Sequence, residues 1–126
     1  ILVWMALVGR LFRTLDFKAD IYDSPDAYHV DSFKKSIEFN KVTFTYNHDD
    51  NTVLKNVSFT INKGEVVALV GESGAGKSTI ADLVPRFYDM TNGTILIDGY
   101  DLRDVSIKSL RTLMGIVTQE TILITK

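Results

Sequence analysis

Residues 71–78 have the residue types and the spacing best suited to chemistry. They read Gly-Glu-Ser-Gly-Ala-Gly-Lys-Ser and match the pattern G-x-x-x-x-G-K-[ST] at every fixed position. Glycines allow a backbone to fold closely around phosphate oxygens, so that successive N–H groups point inward and bind an anion. The pattern therefore predicts a loop that binds the phosphates of a nucleotide. The predicted contacts come from Gly71, Glu72, Ser73, Gly74, Ala75, Gly76, Lys77 and Ser78.

Two side chains at the end of this phosphate loop have distinct predicted roles. Lys77 would place a positive charge against the β- and γ-phosphates, and the Ser78 hydroxyl would ligate the Mg²⁺ that accompanies the nucleotide. A helix that begins near Gly76 would add unpaired N–H groups and the positive end of its dipole. The loop is therefore predicted to bind a nucleotide together with Mg²⁺.

The segments on either side of the loop are those that such a motif requires. The continuous apolar run of residues 66–70 indicates a strand buried on both faces. A helical pattern of apolar residues follows over residues 80–87. Pro85 lies within this pattern and removes a backbone hydrogen bond to Ala81, so we expect it to kink or end the helix.

An antiparallel hairpin is predicted upstream of the loop. Apolar and polar residues alternate over residues 37–46 and again over residues 53–61. The alternation changes phase at Asn40-Lys41, which indicates a bulge or a strand break. The polar residues 48–51 suit the hairpin tip, and residues 62–65 read as a second turn.

The N-terminal segment leaves three interpretations open. The apolar run of residues 1–9 is shorter than the about 20 residues needed to span a membrane, and Arg10 and Arg13 follow it. It is the tail of a longer membrane helix, an amphipathic helix that continues to Leu15, or a helix packed on its own domain. Residues 16–35 are polar and read as a connector, with a domain boundary near residue 30.

The overall composition limits the classes of partner. Hydrophobic residues make up 45% and charged residues 24% of the 126 residues, as in an ordinary folded domain. Fourteen basic and sixteen acidic residues give a net charge of −2. Because this balance provides no broad positive field for a phosphate backbone, no nucleic acid is expected as a partner.

A series of further motifs, in order along residues 36–123, closely resembles the nucleotide-binding domain of ATP-binding cassette (ABC) exporters. Besides the phosphate loop, they are Ile37-Glu38-Phe39, residues 42–46, residues 53–59, Arg86-Phe87-Tyr88-Asp89, residues 97–102, Leu110-Arg111 and Val117-Thr118-Gln119-Glu120. Residues 10–16 are similar to the segment that joins the last transmembrane helix of such exporters to this domain. The resemblance thus assigns residues 1–30 to the end of a membrane helix and a connector, and residues 31–126 to the N-terminal portion of the domain.

The resemblance implies roles for three further residues. Tyr46 corresponds to the aromatic residue that stacks on adenine, although a tyrosine on a sheet face is the structural alternative. Thr79 would hydrogen-bond an α-phosphate oxygen. Gln119 matches the glutamine of the Q-loop, which reaches Mg²⁺ or the attacking water. Lys77 and Gln119 are therefore the candidate catalytic residues, and Ser78 and Gln119 the candidate metal ligands. We interpret the Asp98-Gly99 turn and the helix N-cap Ser106 as structural.

The implied fold class is α/β, a P-loop NTPase core of strand, loop and helix with an antiparallel β-subdomain, incomplete, and an N-terminal helix or connector. The implied function is ATP and Mg²⁺ binding in an ATP-driven exporter, at the cytoplasmic face of a membrane. The implied partners are the transmembrane domain of the same parent chain and a second nucleotide-binding domain.

The chain ends at Lys126, so the Walker B carboxylates, the signature loop and the switch histidine of this family have no counterparts in it. We therefore expect no ATP turnover by the chain alone, with an unpaired edge and an uncovered apolar face at residues 66–70. Two alternatives remain open. One is a different P-loop enzyme such as a small kinase, and the other is a nucleotide-binding fragment without catalysis of its own.

Overall fold

The secondary structure consists of short strands and helices in mixed order. The computed structural model describes residues 2–6, 21–46, 51–72, 74 and 76–118. The elements in chain order are β1 (Leu2–Ala6), β2 (Ser36–Thr45), β3 (Thr52–Asn62), α1 (Lys77–Leu83), β4 (Asn92–Ile97), β5 (Tyr100–Asp101), a 3₁₀ turn (Leu102–Asp104), α2 (Ile107–Thr112) and β6 (Met114–Thr118).

The main sheet is antiparallel, with the strand order β3-β2-β4-β5. The predicted hairpin is confirmed as β2 and β3, although residues 47–50 of its tip lie outside the described residues. The predicted irregularity is confirmed too, because the register of β2 shifts between Phe39 and Val42 and Lys41 has a φ of 49°. The second turn closes through a hydrogen bond of 3.0 Å from the Glu65 N–H to the Asn62 carbonyl.

The hydrophobic core joins this sheet to both helices, α1 and α2. Its fully buried members include Ile37, Phe39, Val42, Leu83, Val84, Ile95, Ile97 and Leu110. The Phe39 and Phe59 rings stack across β2 and β3 with their centroids 4.4 Å apart. Burial of each large apolar side chain contributes about 1.5–3 kcal/mol, which fixes α1, and with it the end of the phosphate loop, against the sheet.

The C-terminal end of α1 is shaped by a proline and two arginines. The helix ends at Leu83, two residues before Pro85, as predicted. Arg111 donates to the carbonyls of Pro85 and Arg86, both at 2.9 Å. Arg86 is only 4% exposed and pairs with Asp89 at 2.7 Å. Burial, and next the charge of Arg86, lower the pKa of the Arg111 guanidinium. Arg111 thus donates to two carbonyl groups just after α1, which have no N–H donor from the helix because the helix does not continue.

The segment before the phosphate loop differs from the prediction. Residues 66–70 form no strand, and Val66 and Val70 are 99% and 88% exposed. The interpretation as a strand buried on both faces is therefore wrong, whereas the expected uncovered apolar face is present. A buried parallel strand needs a neighbour on each side, and no described strand pairs with residues 66–70.

The N-terminus also differs. The predicted helix is wrong for residues 2–6, because β1 pairs in parallel with β6 from Leu2 opposite Met114 to Ala6 opposite Thr118. Periodicity cannot separate a short apolar run in a strand from one in a helix, and Val3 and Trp4 both favour strands. Residues 7–20 lie outside the described part of the structure. Within the described part, no helix is long and apolar enough to cross a membrane.

The described part of the connector packs on α2 and on the residues just before it. Tyr28 bridges to Val105 in parallel, and its N–H donates to the Asp104 carbonyl at 2.7 Å. The Val30 N–H donates to the Ser109 hydroxyl at 3.1 Å. These contacts attach the connector to the domain well before β2 begins.

Asp98, in the turn between β4 and β5, holds the end of the connector. Its carboxylate accepts from the backbone N–H groups of Lys34, Lys35 and Ser36 at 2.7, 2.6 and 3.1 Å. The residue itself is left-handed, with a φ of 51°, a conformation that aspartate and asparagine tolerate better than other side chains. The turn is therefore structural, as the sequence analysis predicts, and it also positions the start of β2.

We expect Asp98→Asn to lower the free energy of unfolding by about 1.5 kcal/mol, because one of the two accepting oxygens becomes a donor that faces another donor. Asparagine tolerates the left-handed backbone, so backbone strain does not contribute to the loss. The midpoint and slope of urea unfolding measure it. Asp104→Asn, at an exposed carboxylate nearby, serves as the control and should change stability by less than about 0.5 kcal/mol. Equal losses in the two variants would contradict the role given to Asp98.

Candidate functional site

The phosphate loop ends in a glycine that starts α1. Gly76 is the N-cap of α1, with φ 92° and ψ 7°, and no side chain bonds to the first turn as a cap. The first turn also contains no acidic residue. The left-handed backbone of Gly76 favours glycine, and a Cβ there would lie 2.6 Å from Leu54 Cδ2 and would displace that side chain. The N–H groups at this helix start thus keep the ability to bind an anion.

The Lys77 ammonium group crosses the loop. Its Nζ donates to the carbonyl of Gly71 and, at 2.9 Å, to the carbonyl of Glu72. This places a positive charge at the beginning of the loop although the residue belongs to α1 at the other end. Gly71, Glu72 and Ser78 are exposed, so an anion can approach the ammonium from solvent.

The middle of the loop has space for a ligand. Gly74 is exposed with a φ of 86°, and, its chain neighbours aside, no atom of the described residues lies within 4 Å of the position that its Cβ would take. The predicted contacts Ser73 and Ala75 lie outside the described residues, and so does Gln119. Backbone N–H groups, one cation and one exposed hydroxyl are the donor set that a triphosphate with a divalent cation needs, so the described residues fit that ligand.

Tyr46 lies directly after β2 and reaches the first turn of α1. Its hydroxyl and that of Thr79 form a hydrogen bond of 2.9 Å, in which either oxygen can donate. Thr79 is only 4% exposed, and Tyr46 is half-buried. The bond brings two residues that lie far apart in the sequence to the same side of the loop. The stacking of Tyr46 on adenine and the contact of Thr79 with the α-phosphate stay predictions.

The sequence analysis assigned no role to the two rings that surround Tyr46. The centroid of Phe44 lies 4.6 Å from that of Tyr46 with the planes at 87°, and the centroid of Tyr88 lies 5.1 Å away with the planes at 89°. Phe44 could have been found from the sequence, because residues two apart on a strand share a face. Tyr88 belongs to one of the motifs quoted above, but no periodicity connects it to β2.

A glycine-rich loop that ends in Lys-Ser at the start of a helix, with that helix packed on a sheet, defines a P-loop nucleotide-binding protein. The sequence profile of the family described as "ABC transporter" matches residues 54–126, which is well over half of the chain. The chain belongs to the ABC transporter family. This membership confirms the resemblance and the α/β fold class, and it contradicts the alternative of a small kinase.

Several relatives are closely similar over nearly the whole chain. The ATP-dependent lipid A-core flippase of Syntrophus aciditrophicus (strain SB) is 52% identical over 114 residues, which cover 90% of this chain and 19% of the flippase. The protein of the same name from Desulfotalea psychrophila (strain LSv54 / DSM 12343) is 44% identical over 119 residues, which cover 94% of this chain and 20% of that protein. The chain therefore spans about a fifth of the length of these relatives.

A solved structure of an ABC exporter is also similar to the chain. A bacterial Atm1-family ABC exporter with ATP bound superposes with a TM-score of 0.75 at 44% sequence identity. The match covers 89% of this chain and 19% of the exporter chain.

Proposed function

We propose that this chain binds Mg-ATP as the N-terminal portion of the nucleotide-binding domain of an ABC exporter. The observation that carries the proposal is the Lys77 ammonium, which is held across an open, glycine-rich loop by the carbonyls of Gly71 and Glu72. Among the described residues, this cation has neutral carbonyl groups as its partners. It would exchange them for phosphate oxygens, because hydrogen bonds between charged groups are stronger than those to neutral acceptors.

We propose further roles for the other residues of the site. Backbone N–H groups from Gly74 to the first turn of α1 would bind the phosphate oxygens. The exposed Ser78 hydroxyl would ligate Mg²⁺, the ion that neutralises charge between the β- and γ-phosphates when bound. Tyr46 would stack on the base beside the loop. Gln119 is the proposed second contact to Mg²⁺ or to the attacking water.

At the level of the whole protein, we propose that ATP binding and hydrolysis drive transport across a membrane. Relatives named as a flippase and an exporter support this, and so does the chain's share of about a fifth of their length. The transmembrane domain of the same parent chain, joined through residues 1–30, and a second nucleotide-binding domain would be the partners of residues 31–126. The site would then lie at the cytoplasmic face of the membrane.

Calorimetric titration of the 126-residue chain with ATP and with AMP, both with excess Mg²⁺, tests the nucleotide site. The loop and Lys77 are proposed to contact the β- and γ-phosphates, which AMP lacks. ATP should therefore bind at least about tenfold more tightly than AMP, which is a difference of about 1.4 kcal/mol. Equal affinities would show that the loop does not bind the β- and γ-phosphates, and the proposal would be wrong.

A further inference from the structure

We infer that Tyr88 is a positioning residue for the base site, and that Phe44, Tyr88 and the Thr79 hydroxyl together fix the orientation of the Tyr46 ring before a nucleotide binds. The inference rests on the proposed function, since it concerns the residue that would stack on adenine. It adds a residue from the segment after α1 to a site otherwise built from β2 and the phosphate loop.

The Tyr46 side chain is held at its tip and along its ring. Its hydroxyl is bonded to Thr79 at 2.9 Å. Its ring meets those of Phe44 and Tyr88 nearly at right angles, the edge-to-face arrangement that aromatic quadrupoles favour. Phe44 and Tyr88 also contact each other, with centroids 5.7 Å apart. A tyrosine has two main side-chain torsions, and contacts at both the tip and the ring restrict both of them.

The segment that carries Tyr88 is itself fixed in place. The bidentate ion pair of Arg86 and Asp89 flanks Tyr88 on both sides in the sequence. Phe87 N–H donates to the Asp82 carbonyl at 3.0 Å, and Met90 is buried in the core. Tyr88 therefore presents a ring whose position is determined by α1 and the core, which makes it a rigid support for Tyr46.

A ring that is already oriented loses less conformational freedom when a base stacks on it. Support of this kind contributes only to ligands that have a base. Inorganic tripolyphosphate offers the phosphate loop the same kind of oxygens as ATP but nothing for Tyr46 to stack on. The ratio of the two affinities therefore separates positioning of Tyr46 from general damage to the fold.

The experiment measures the affinity of the 126-residue chain for ATP and for inorganic tripolyphosphate, with Mg²⁺, in the parent and in Tyr88→Ala and Tyr88→Phe. We expect Tyr88→Ala to weaken ATP binding about threefold to tenfold, the fold-change that corresponds to aromatic pair energies of this type. Its tripolyphosphate affinity should equal that of the parent. Tyr88→Phe keeps the ring, so the ratio of its ATP and tripolyphosphate affinities should match that of the parent.

A second pair of variants keeps the test decisive if Tyr88→Ala does not fold. Tyr88→Leu keeps apolar bulk but removes the ring, and Tyr46→Phe keeps the stacking ring but removes the bond to Thr79. Both should weaken the binding of ATP but not of tripolyphosphate, and Tyr46→Phe should do so to a smaller extent. An equal loss for both ligands, or no loss for ATP, would overturn the positioning role. A parent chain that binds neither ligand would instead overturn the proposed function, and the inference with it.

Discussion

Gly93→Ala is expected to destabilise the fold by about 3 kcal/mol or more, the largest loss that we expect for a substitution of this size. Gly93 has a φ of 88°, and a Cβ there would lie 2.6 Å from the Asn40 carbonyl oxygen and closer still to that of Lys41. Both oxygens belong to the backbone of the bulge in β2, which cannot rotate away as a side chain can. The alanine variant would have to separate β4 from β2 or distort the bulge.

Gly99→Ala is the matched control. Gly99 has the same φ of 88°, but in the described part of the chain no atom beyond its own neighbours lies within 4 Å of its Cβ position. It should therefore lose only the about 1–2 kcal/mol that a left-handed backbone costs an alanine. Urea unfolding followed by circular dichroism gives both free energies. If the two variants lost the same free energy of unfolding, backbone strain alone would explain the loss in Gly93→Ala. The close approach of β2 and β4 would then have no energetic consequence.

Lys77→Ala is expected to weaken ATP binding by about 1.5–3 kcal/mol, the range for a hydrogen bond to a charged group. Its ammonium is the cation that the fold brings to the loop carbonyls, and alanine would remove this positive charge from beside the phosphates. Calorimetric titration with Mg-ATP measures the difference in affinity. Lys63→Ala removes the same charge from the exposed turn after β3 and should bind ATP like the parent. An unchanged affinity in Lys77→Ala would exclude Lys77 from the site.

Local signals in the sequence predicted the parts of the fold that depend on local interactions. The hairpin of β2 and β3, the bulge at Lys41 and the end of α1 before Pro85 each follow from a few adjacent residues. The secondary structure of residues 2–6 and 66–70 depends instead on which strands pair with each other. An apolar run favours a strand or a helix but does not specify a pairing partner. For that reason the helix predicted for residues 2–6 and the strand predicted for residues 66–70 were both wrong.

In the candidate site, too, some residues could be predicted from local sequence and others could not. The phosphate loop is a contiguous motif, so its glycines and Lys77 could be located from spacing alone. The ring of Tyr88 beside Tyr46 could not, because this contact joins residues 42 positions apart and forms only once the segment after α1 has packed beside β2. The partners of the Lys77 ammonium are close in the sequence, but the motif does not specify which loop carbonyls it contacts. Gln119 lies outside the described residues, so its role stays a prediction.

The attachment of the connector has a mechanical consequence. Asp23 accepts a hydrogen bond of 2.9 Å from the Ile107 N–H, and Ser109 accepts one from Val30, so two points of the connector are fastened to α2. One residue separates the end of α2 from β6, and Gln119 is the residue that follows β6. A force on the connector at Asp23 or Val30 would therefore act directly on α2, and β6, the strand that precedes Gln119 in the sequence, follows α2 after a single residue.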